Sequence, residues 1–272
     1  MSEDLTPVFD AVEKAHASEP VATRRAIING AAGLAGSVAL LGALGGVADA
    51  KSTKAGWWHH HKGDDPQTIL NIAATAEVLA TIVNTVGFQK VSLDAVTKRN
   101  VGAAAREELI HYNTLVSIGG VPLTKKIWVP DAVFANASGL LNTLQVGDQI
   151  FVNAYLIATK RFAQLHKPDY AVIAAEFMGV EAVHRALARQ SLGQLGNDRV
   201  FMKYDQVETA PGAPNKGTPG FTRIADAAAQ LQAAGFGFGV KGAGPGAFYD
   251  FDTVSATTPN DPDLNTLTPS AG

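Results

Sequence analysis

The sequence contains no cysteine and has no excess of basic residues. The absence of cysteine excludes disulfide bonds, thiolate metal ligands and a cysteine nucleophile, although it does not indicate a redox compartment. The net charge is −3 and the pI is about 6.2. The chain therefore offers no basic surface for nucleic acid or anionic lipid, and neither is expected as a partner.

The length and composition are those of a folded chain with one main core. Hydrophobic residues make up 46% of the 272 positions, whereas charged residues make up only 17%. Such a chain can bury one sizeable core, and its length also permits a second small domain. We expect one main domain, flanked by segments of different composition.

The first fifty residues are typical of an export signal. A polar, acidic lead reaches Arg24 and Arg25, and a run rich in glycine and alanine follows at 31–47. The triplet at 48–50 has the form of an A-x-A cleavage site. This arrangement resembles a twin-arginine signal, so we predict export to the periplasm or the extracellular space. The alternative is an uncleaved segment that anchors the chain in the membrane.

Residues 51–65 show little apolar periodicity and are predicted to form a surface linker. They contain three adjacent histidines at 59–61. Adjacent side chains cannot all converge on one ion from a helix or a strand. We therefore predict a tether here and not a metal site.

Apolar residues at spacings of three and four predict four long helices. Asp65 and Pro66 are suited to the N-cap and first turn of the first helix. Pro122 and Pro130 indicate a crossover between the second and third helices. The four predicted ranges are about 66–87, 92–119, 138–166 and 167–193.

Two segments of the form Glu-x-x-His lie within these helices, at Glu108 to His111 and at Glu181 to His184. Residues three apart share one helix face, so each segment presents a carboxylate and an imidazole together. Both pairs fall on the apolar stripe of their helix and are predicted to point inward. Burying an unpaired carboxylate is costly, so these positions require a partner or a cation.

The first and third helices each place one acidic residue, Glu77 and Asp148, in a polar position of an otherwise apolar stripe. All of these polar residues lie several turns from their helix ends. Antiparallel helices of similar length bring their midpoints to a common depth, so the residues can converge on a metal site. The predicted ligands are Glu77, Glu108, His111, Asp148, Glu181 and His184.

With these motifs the chain resembles the ferritin-like superfamily, in particular its secreted, desiccation-related branch. The resemblance covers about 66–193. It implies an all-α fold, namely a ferritin-like antiparallel four-helix bundle, with an extra C-terminal helix and an irregular tail. It also implies two Fe or Mn ions, with Glu108 and Glu181 as bridges and His111 and His184 as nitrogen ligands. Asp148 departs from the family pattern, which usually has Glu at this position. An aspartate side chain is shorter than a glutamate side chain by one methylene.

Oxygen and nitrogen ligands without thiolate suit Fe or Mn. The expected function is therefore an exported protein with a dinuclear metal site for oxygen or peroxide chemistry, either ferroxidase-like or catalase-like. Metal ions and oxygen or peroxide are the expected partners, and a homo-oligomer is left open. The alternative is a non-enzymatic envelope or desiccation stress protein whose polar core holds no metal. A haem or small-ligand bundle ranks last.

Other polar residues near the predicted ligands are expected to pack in the core or to face solvent. Tyr112 and Tyr155 are expected to pack in the core with satisfied hydroxyls, with ligand contact or redox relay as the alternative. Glu107 and Glu176 fall off the buried faces and are expected to be solvated.

The last part of the chain is predicted to be mostly irregular. One amphipathic pattern at 224–234 predicts a fifth helix. The segments at 235–246 and 253–272 lack the apolar content to fold alone. The predicted divisions are a signal segment at 1–50, a linker at 51–65, the bundle at 66–193 and an extension at 194–272.

Overall fold

The computed structural model describes residues 64–198, 200–203 and 218–270. The predicted export signal at 1–50, and the histidines of the predicted linker, lie outside these described residues.

Four long helices form the body of the structure. Three of them begin with a side chain that accepts hydrogen bonds from free backbone N–H groups: Asp65 from Thr68, Asp94 from Val96 and Thr97, and Asn136 from Gly139. The predicted helices are all present, and their ends differ from the predictions by a few residues. The bounds are α1 (Pro66–Lys90), α2 (Ala95–Ser117), α3 (Ala137–Gln164) and α4 (Pro168–Ser191).

The four helices pack as two antiparallel hairpins, α1 with α2 and α3 with α4. The Gln67 amide at the start of α1 donates to the Gly119 carbonyl just beyond the end of α2. Similarly, the Thr97 hydroxyl near the start of α2 donates to Ser191 at the end of α4, at 2.9 Å. The helix midpoints therefore lie at one depth, as an antiparallel bundle requires. This confirms the predicted all-α fold with an antiparallel four-helix bundle.

Helix α1 is the most deeply buried of the four. It is long and apolar enough to cross a membrane, but 89% of its most apolar window is buried inside the protein. Ile69, Val78 and Ile82 are at most 1% exposed. Burial of a side chain of this size stabilises the fold by about 1.5–3 kcal/mol. The apolar character of α1 is thus that of a core helix.

Short strands and two short helices complete the described structure, in the crossover between α2 and α3 and in the C-terminal extension. The strands are β1 (Lys126–Pro130), β2 (Met202–Lys203), β3 (Thr218–Pro219), β4 (Gly237–Phe238) and β5 (Gly246–Asp250). The helices are α5 (Ile224–Ala233) and α6 (Phe251–Ser255). A single turn of 3-10 helix, Asp131–Phe134, follows β1.

Strand β1 is the centre of a three-stranded antiparallel sheet, between β4 and β5. Ile127 pairs with both Phe238 and Tyr249. This sheet was not predicted from the sequence. Strands β4 and β5 gain regular structure only by pairing with β1, which lies in the distant crossover. The sheet fastens the extension to the bundle.

Helix α5 agrees with the predicted fifth helix and ends one residue earlier. It docks on α1 and α3. Its buried face consists of Ile224, Ala227, Ala228 and Leu231.

The C-terminal tail after α6 follows the bundle through polar contacts. Thr258 shares a hydrogen bond with Thr85 of α1, and Arg99 of α2 forms ion pairs with Asp261 and Asp263. Further along, the backbone N–H of Ser270 donates to Glu176 of α4 at 2.9 Å. Glu176 lies off the buried face of α4 and is half-buried, and the tail is one of its contacts.

Candidate metal centre

All six predicted ligands are buried at the middle of the bundle. Each helix contributes at least one of them, at the depth where the antiparallel midpoints meet. Glu77, Glu108 and Glu181 are 0% exposed, and His111, Asp148 and His184 are at most 7% exposed. Buried ionisable groups in an apolar core call for a specific counter-charge.

Four of these residues surround one point. Glu77, Glu108, His111 and Glu181 each offer one ligand atom, and the four atoms lie within 4.8 Å of one another. The Nδ1 atom of His111 is 3.3 Å from Glu181, 3.4 Å from Glu108 and 3.7 Å from Glu77. This spacing leaves one position that all four side chains can share.

The second histidine lies on the other side of Glu108. The Nδ1 atom of His184 is 3.1 Å from Oε1 of Glu108, and its Nε2 atom is 2.7 Å from Oε2 of Glu107. Glu108 therefore faces both histidines, since its Oε2 approaches His111. A proton on Nε2 that is donated to Glu107 leaves Nδ1 of His184 free to act as a ligand.

The placement of Glu107 corrects the sequence analysis, which expected a solvated side chain. The Glu107 side chain is only 29% exposed. One residue turns a helix by about 100°, so Glu107 points in a different direction from Glu108. It points from α2 toward α4, where it contacts His184. The signal that could have found it is the adjacent pair Glu107-Glu108 beside a Glu-x-x-His segment.

Asp148 lies apart from the group of four. It lines a pocket together with His184, and its Oδ2 atom has no hydrogen-bond partner among the described residues. The structure therefore places Asp148 beside His184 and outside the group of four.

Burial and mutual repulsion raise the pKa values of most carboxyl groups in the cluster. Burial, followed by the charge of Glu108, raises the pKa of Glu77 to about 8. Burial and neighbouring carboxylates likewise hold the pKa of Glu181 well above its ordinary value. Burial also raises the pKa of Asp148, although His184 and Arg185 oppose the shift.

Glu108 and the two histidines shift in the direction that favours their charged forms. Burial opposes ionisation of Glu108, but the close contacts of its carboxylate with His111 and His184 outweigh burial and lower its pKa. Burial also opposes charge on the histidines. Contacts with Glu108 and other carboxylates nevertheless raise the pKa of both. In the absence of a cation, protons therefore supply the positive charge that the buried carboxylates need.

The donor atoms of the cluster fit a metal cation. Six buried atoms of the cluster residues have no hydrogen-bond partner within the described ranges. Leaving such an atom unsatisfied costs about 1–3 kcal/mol. Oxygen with imidazole nitrogen is the donor set that suits Fe and Mn. The six atoms are Oε2 of Glu77, Oε2 of Glu108, Nδ1 of His111, Oδ2 of Asp148 and both carboxylate oxygens of Glu181.

Aromatic side chains hold two of the ligands. The Tyr155 hydroxyl donates a short hydrogen bond to Oε1 of Glu77. The ring of Phe177 stacks on His111 with centroids 4.0 Å apart, and Tyr155 meets Phe177 edge-on. Tyr155 thus has the satisfied core hydroxyl that was expected, and its partner is a predicted ligand. Tyr112 packs on Phe251, with centroids 4.3 Å apart.

Antiparallel helices around a buried carboxylate and histidine cluster define a helical bundle with a site able to hold metal. Residues 65–194 match the family model of the ferritin-like domain. The match covers slightly less than half of the chain and supports the superfamily resemblance seen in the sequence. Neither the comparison with curated proteins nor that with solved structures gave a match.

Proposed function

We propose that the protein binds two Fe or Mn ions within its ferritin-like domain and uses them in reactions with oxygen or peroxide. The observation that carries the proposal is the group of six buried donor atoms without hydrogen-bond partners in the described structure. Glu77, Glu108, His111 and Glu181 would hold one ion. Asp148 and His184 would hold the second, with Glu108 shared because it faces both histidines.

The bound ions would supply one-electron redox chemistry toward oxygen or peroxide. The chain's own residues orient the ligands and exclude water. Tyr155 fixes one oxygen of Glu77 and so directs the other toward the cluster. Glu107 holds the ring of His184, and Phe177 holds that of His111. Such outer contacts set the orientation and basicity of metal ligands.

The export component of the proposal is supported by Arg24, Arg25 and the A-x-A triplet at 48–50. It predicts that the mature protein begins near Lys51. Mass spectrometry of protein from the periplasm or medium tests this, and replacing both arginines with lysine should keep the chain in the cytoplasm. A mature protein that retains residues 1–50 would contradict cleavage.

A metal-free polar core in an envelope or desiccation stress protein is the second candidate. One observation favours it: His111 and His184 both contact carboxylates, so protonated histidines can neutralise part of the buried charge. Protonated histidines leave the second oxygen of several carboxylates without a partner, however. The dinuclear site accounts for more of these atoms.

Metal analysis of the purified protein separates the two candidates. We expect about two Fe or Mn ions per chain in the wild type, as in other sites of this architecture. Glu181→Gln should lose them, because the amide replaces a carboxylate of the same size. Glu176→Gln, on the same helix but outside the cluster, should keep them.

The contrary result is a wild-type protein that holds no transition metal after incubation with Fe(II) or Mn(II), although it is folded. That result would leave the metal-free polar core. If metal is bound, consumption of oxygen and of peroxide by the loaded protein becomes the assay of activity.

A further inference from the structure

Two pockets reach the candidate metal centre, and they differ in chemical character. The first touches the cluster at Glu77 and Tyr155. Its remaining lining is almost entirely apolar and comes from α1, α3, α5 and β4. The second touches the cluster at Asp148 and His184, and its lining is half polar and half apolar.

The second pocket, here named the polar pocket, opens at one end of the bundle. Ser191 is exposed and Asn100 is half-buried, so they form the mouth, while Asp148 and His184 form the floor. Thr97 and Asn84 lie in the wall and are 4% and 2% exposed. The polar pocket therefore leads from solvent to the side of the cluster where the second metal position is proposed.

Asn84 lines this pocket and has a buried side-chain oxygen whose hydrogen-bonding capacity is unused within the described structure. Its Nδ2 group donates to the Ala80 carbonyl at 3.1 Å, which fixes the orientation of the amide. Its Oδ1 atom has no hydrogen-bond partner in the part of the chain that the structure describes. A buried amide oxygen without a donor is costly, and it is a ligand type that hard divalent cations accept.

Asn84 continues a row of such oxygens along α1. Glu77, Thr81 and Asn84 are spaced by four and three residues, so they share one helix face. Thr81 is 0% exposed, and its hydroxyl also lacks a partner among the described residues. The row spans about 10 Å of the helix axis. The row begins at Asn84, which lines the polar pocket, and ends at Glu77, a member of the four-residue metal group.

We propose that the polar pocket is the uptake route for hydrated divalent cations, with Asn84 and Thr81 as transit ligands between solvent and the cluster. A cation can shed water only where other oxygens replace it, and the apolar pocket offers no such row. The buried carboxylates beneath the polar pocket attract the cation electrostatically. This inference rests on the proposed metal-binding function and adds the path by which the ions arrive.

The test is the rate of Co²⁺ binding to metal-free protein, followed by stopped-flow absorbance, with the final stoichiometry measured separately. Asn84→Leu and Thr81→Val remove the transit oxygens with little change in size. Each should slow uptake about tenfold or more while the final stoichiometry stays that of the wild type. Thr85→Val is the matched control, since Thr85 lies on the same helix, is equally buried and pairs with Thr258.

A second control addresses the other pocket. Ala228→Val narrows the apolar pocket and should leave the Co²⁺ uptake rate unchanged. Thermal unfolding of each variant, made singly, shows whether it is folded.

Four results would overturn the inference. Wild-type uptake rates in both Asn84→Leu and Thr81→Val would show that these oxygens are not on the route. Slower uptake in Ala228→Val alone would assign the route to the apolar pocket. Loss of bound Co²⁺ at equilibrium in the Thr81 or Asn84 variant would make these residues part of the final site. A wild-type protein that binds no Co²⁺ would reject the proposed function itself, and the route with it.

Discussion

At the scale of single residues, the cluster is organised by contacts outside the predicted ligand set. Glu107 takes one nitrogen of His184, so the other faces Glu108. Tyr155 takes one oxygen of Glu77 and leaves the second free. A ligand that is held by a neighbour loses little freedom on binding metal, so these contacts preorganise the site.

Removing the partner of His184 should weaken metal binding without unfolding the domain. For Glu107→Ala we expect an affinity for Mn²⁺ or Co²⁺ that is about 10–100-fold lower, the usual effect of losing such a contact. Competitive titration against a chelator measures it. Glu176→Ala serves as the control on an outer carboxylate. An unchanged affinity in Glu107→Ala would mean that His184 does not depend on this hydrogen bond.

Removing the hydroxyl of Tyr155 should destabilise the metal-free protein. In Tyr155→Phe the Oε1 atom of Glu77 loses its donor inside the core, and we expect a free energy of unfolding lower by about 1–3 kcal/mol. Urea denaturation measures it. Tyr170→Phe is the comparison, since the Tyr170 hydroxyl makes only a 3.4 Å bond to Ile118 and should matter less. Equal effects of the two substitutions would argue against a special role of the Glu77 contact.

At the scale of secondary structure elements, the crossover does more than connect α2 to α3. Its strand β1 collects β4 and β5, and the 3-10 turn that follows packs against α3 and α1. Ile127 at the centre of β1 is 0% exposed and Val129 is 1% exposed. The sheet is therefore part of the core cluster, and it joins the C-terminal extension to the helical bundle.

Truncating the central strand should loosen the extension. Ile127→Ala leaves a cavity in the core, and we expect a loss of about 2–5 kcal/mol in the free energy of unfolding. Faster proteolysis between α5 and the C-terminus should accompany it. Phe248→Ala is the control on the same sheet, because that ring is 39% exposed. If Ile127→Ala were as stable as the wild type, the sheet would not hold the extension in place.

At the scale of the whole molecule, the chain's last segment is bound to the bundle by charge. Arg99 of α2 makes a bidentate contact with Asp261 and a further ion pair with Asp263. Hydrogen bonds from Arg99 lower the pKa of Asp261 from 3.8 to about 2. The folded-state pKa lies below the ordinary one. The contribution of this contact is therefore complete above about pH 4 and disappears as the pH falls through 2.

Docking of the tail should accordingly be sensitive to acid. We expect pepsin to cleave within 256–270 much faster at pH 2 than at pH 4, and Arg99→Gln to make cleavage fast at both. The helical circular dichroism signal must stay constant over this range for the comparison to hold. Equal cleavage of the wild type and Arg99→Gln at pH 4 would contradict a role for this ion pair.

The sequence by itself determined the four helices of the domain and the residues that meet at its centre. Apolar periodicity and local caps specify a helix without reference to the rest of the chain. A Glu-x-x-His segment on an apolar stripe must face inward because helical spacing allows no other direction. The geometric convergence followed because antiparallel helices of similar length align their midpoints.

Only the tertiary structure decided which neighbours complete these features. The adjacent pair Glu107-Glu108 marks Glu107 as a candidate, but only the rotation of α2 against α4 shows that it contacts His184. Strands β4 and β5 exist because a crossover more than a hundred residues earlier offers them a partner. The position of Asp148 beside His184, outside the group of four, depends on how α3 lies against α4. These contacts join residues far apart in the chain, so the packing of the helices had to be known before they could be placed.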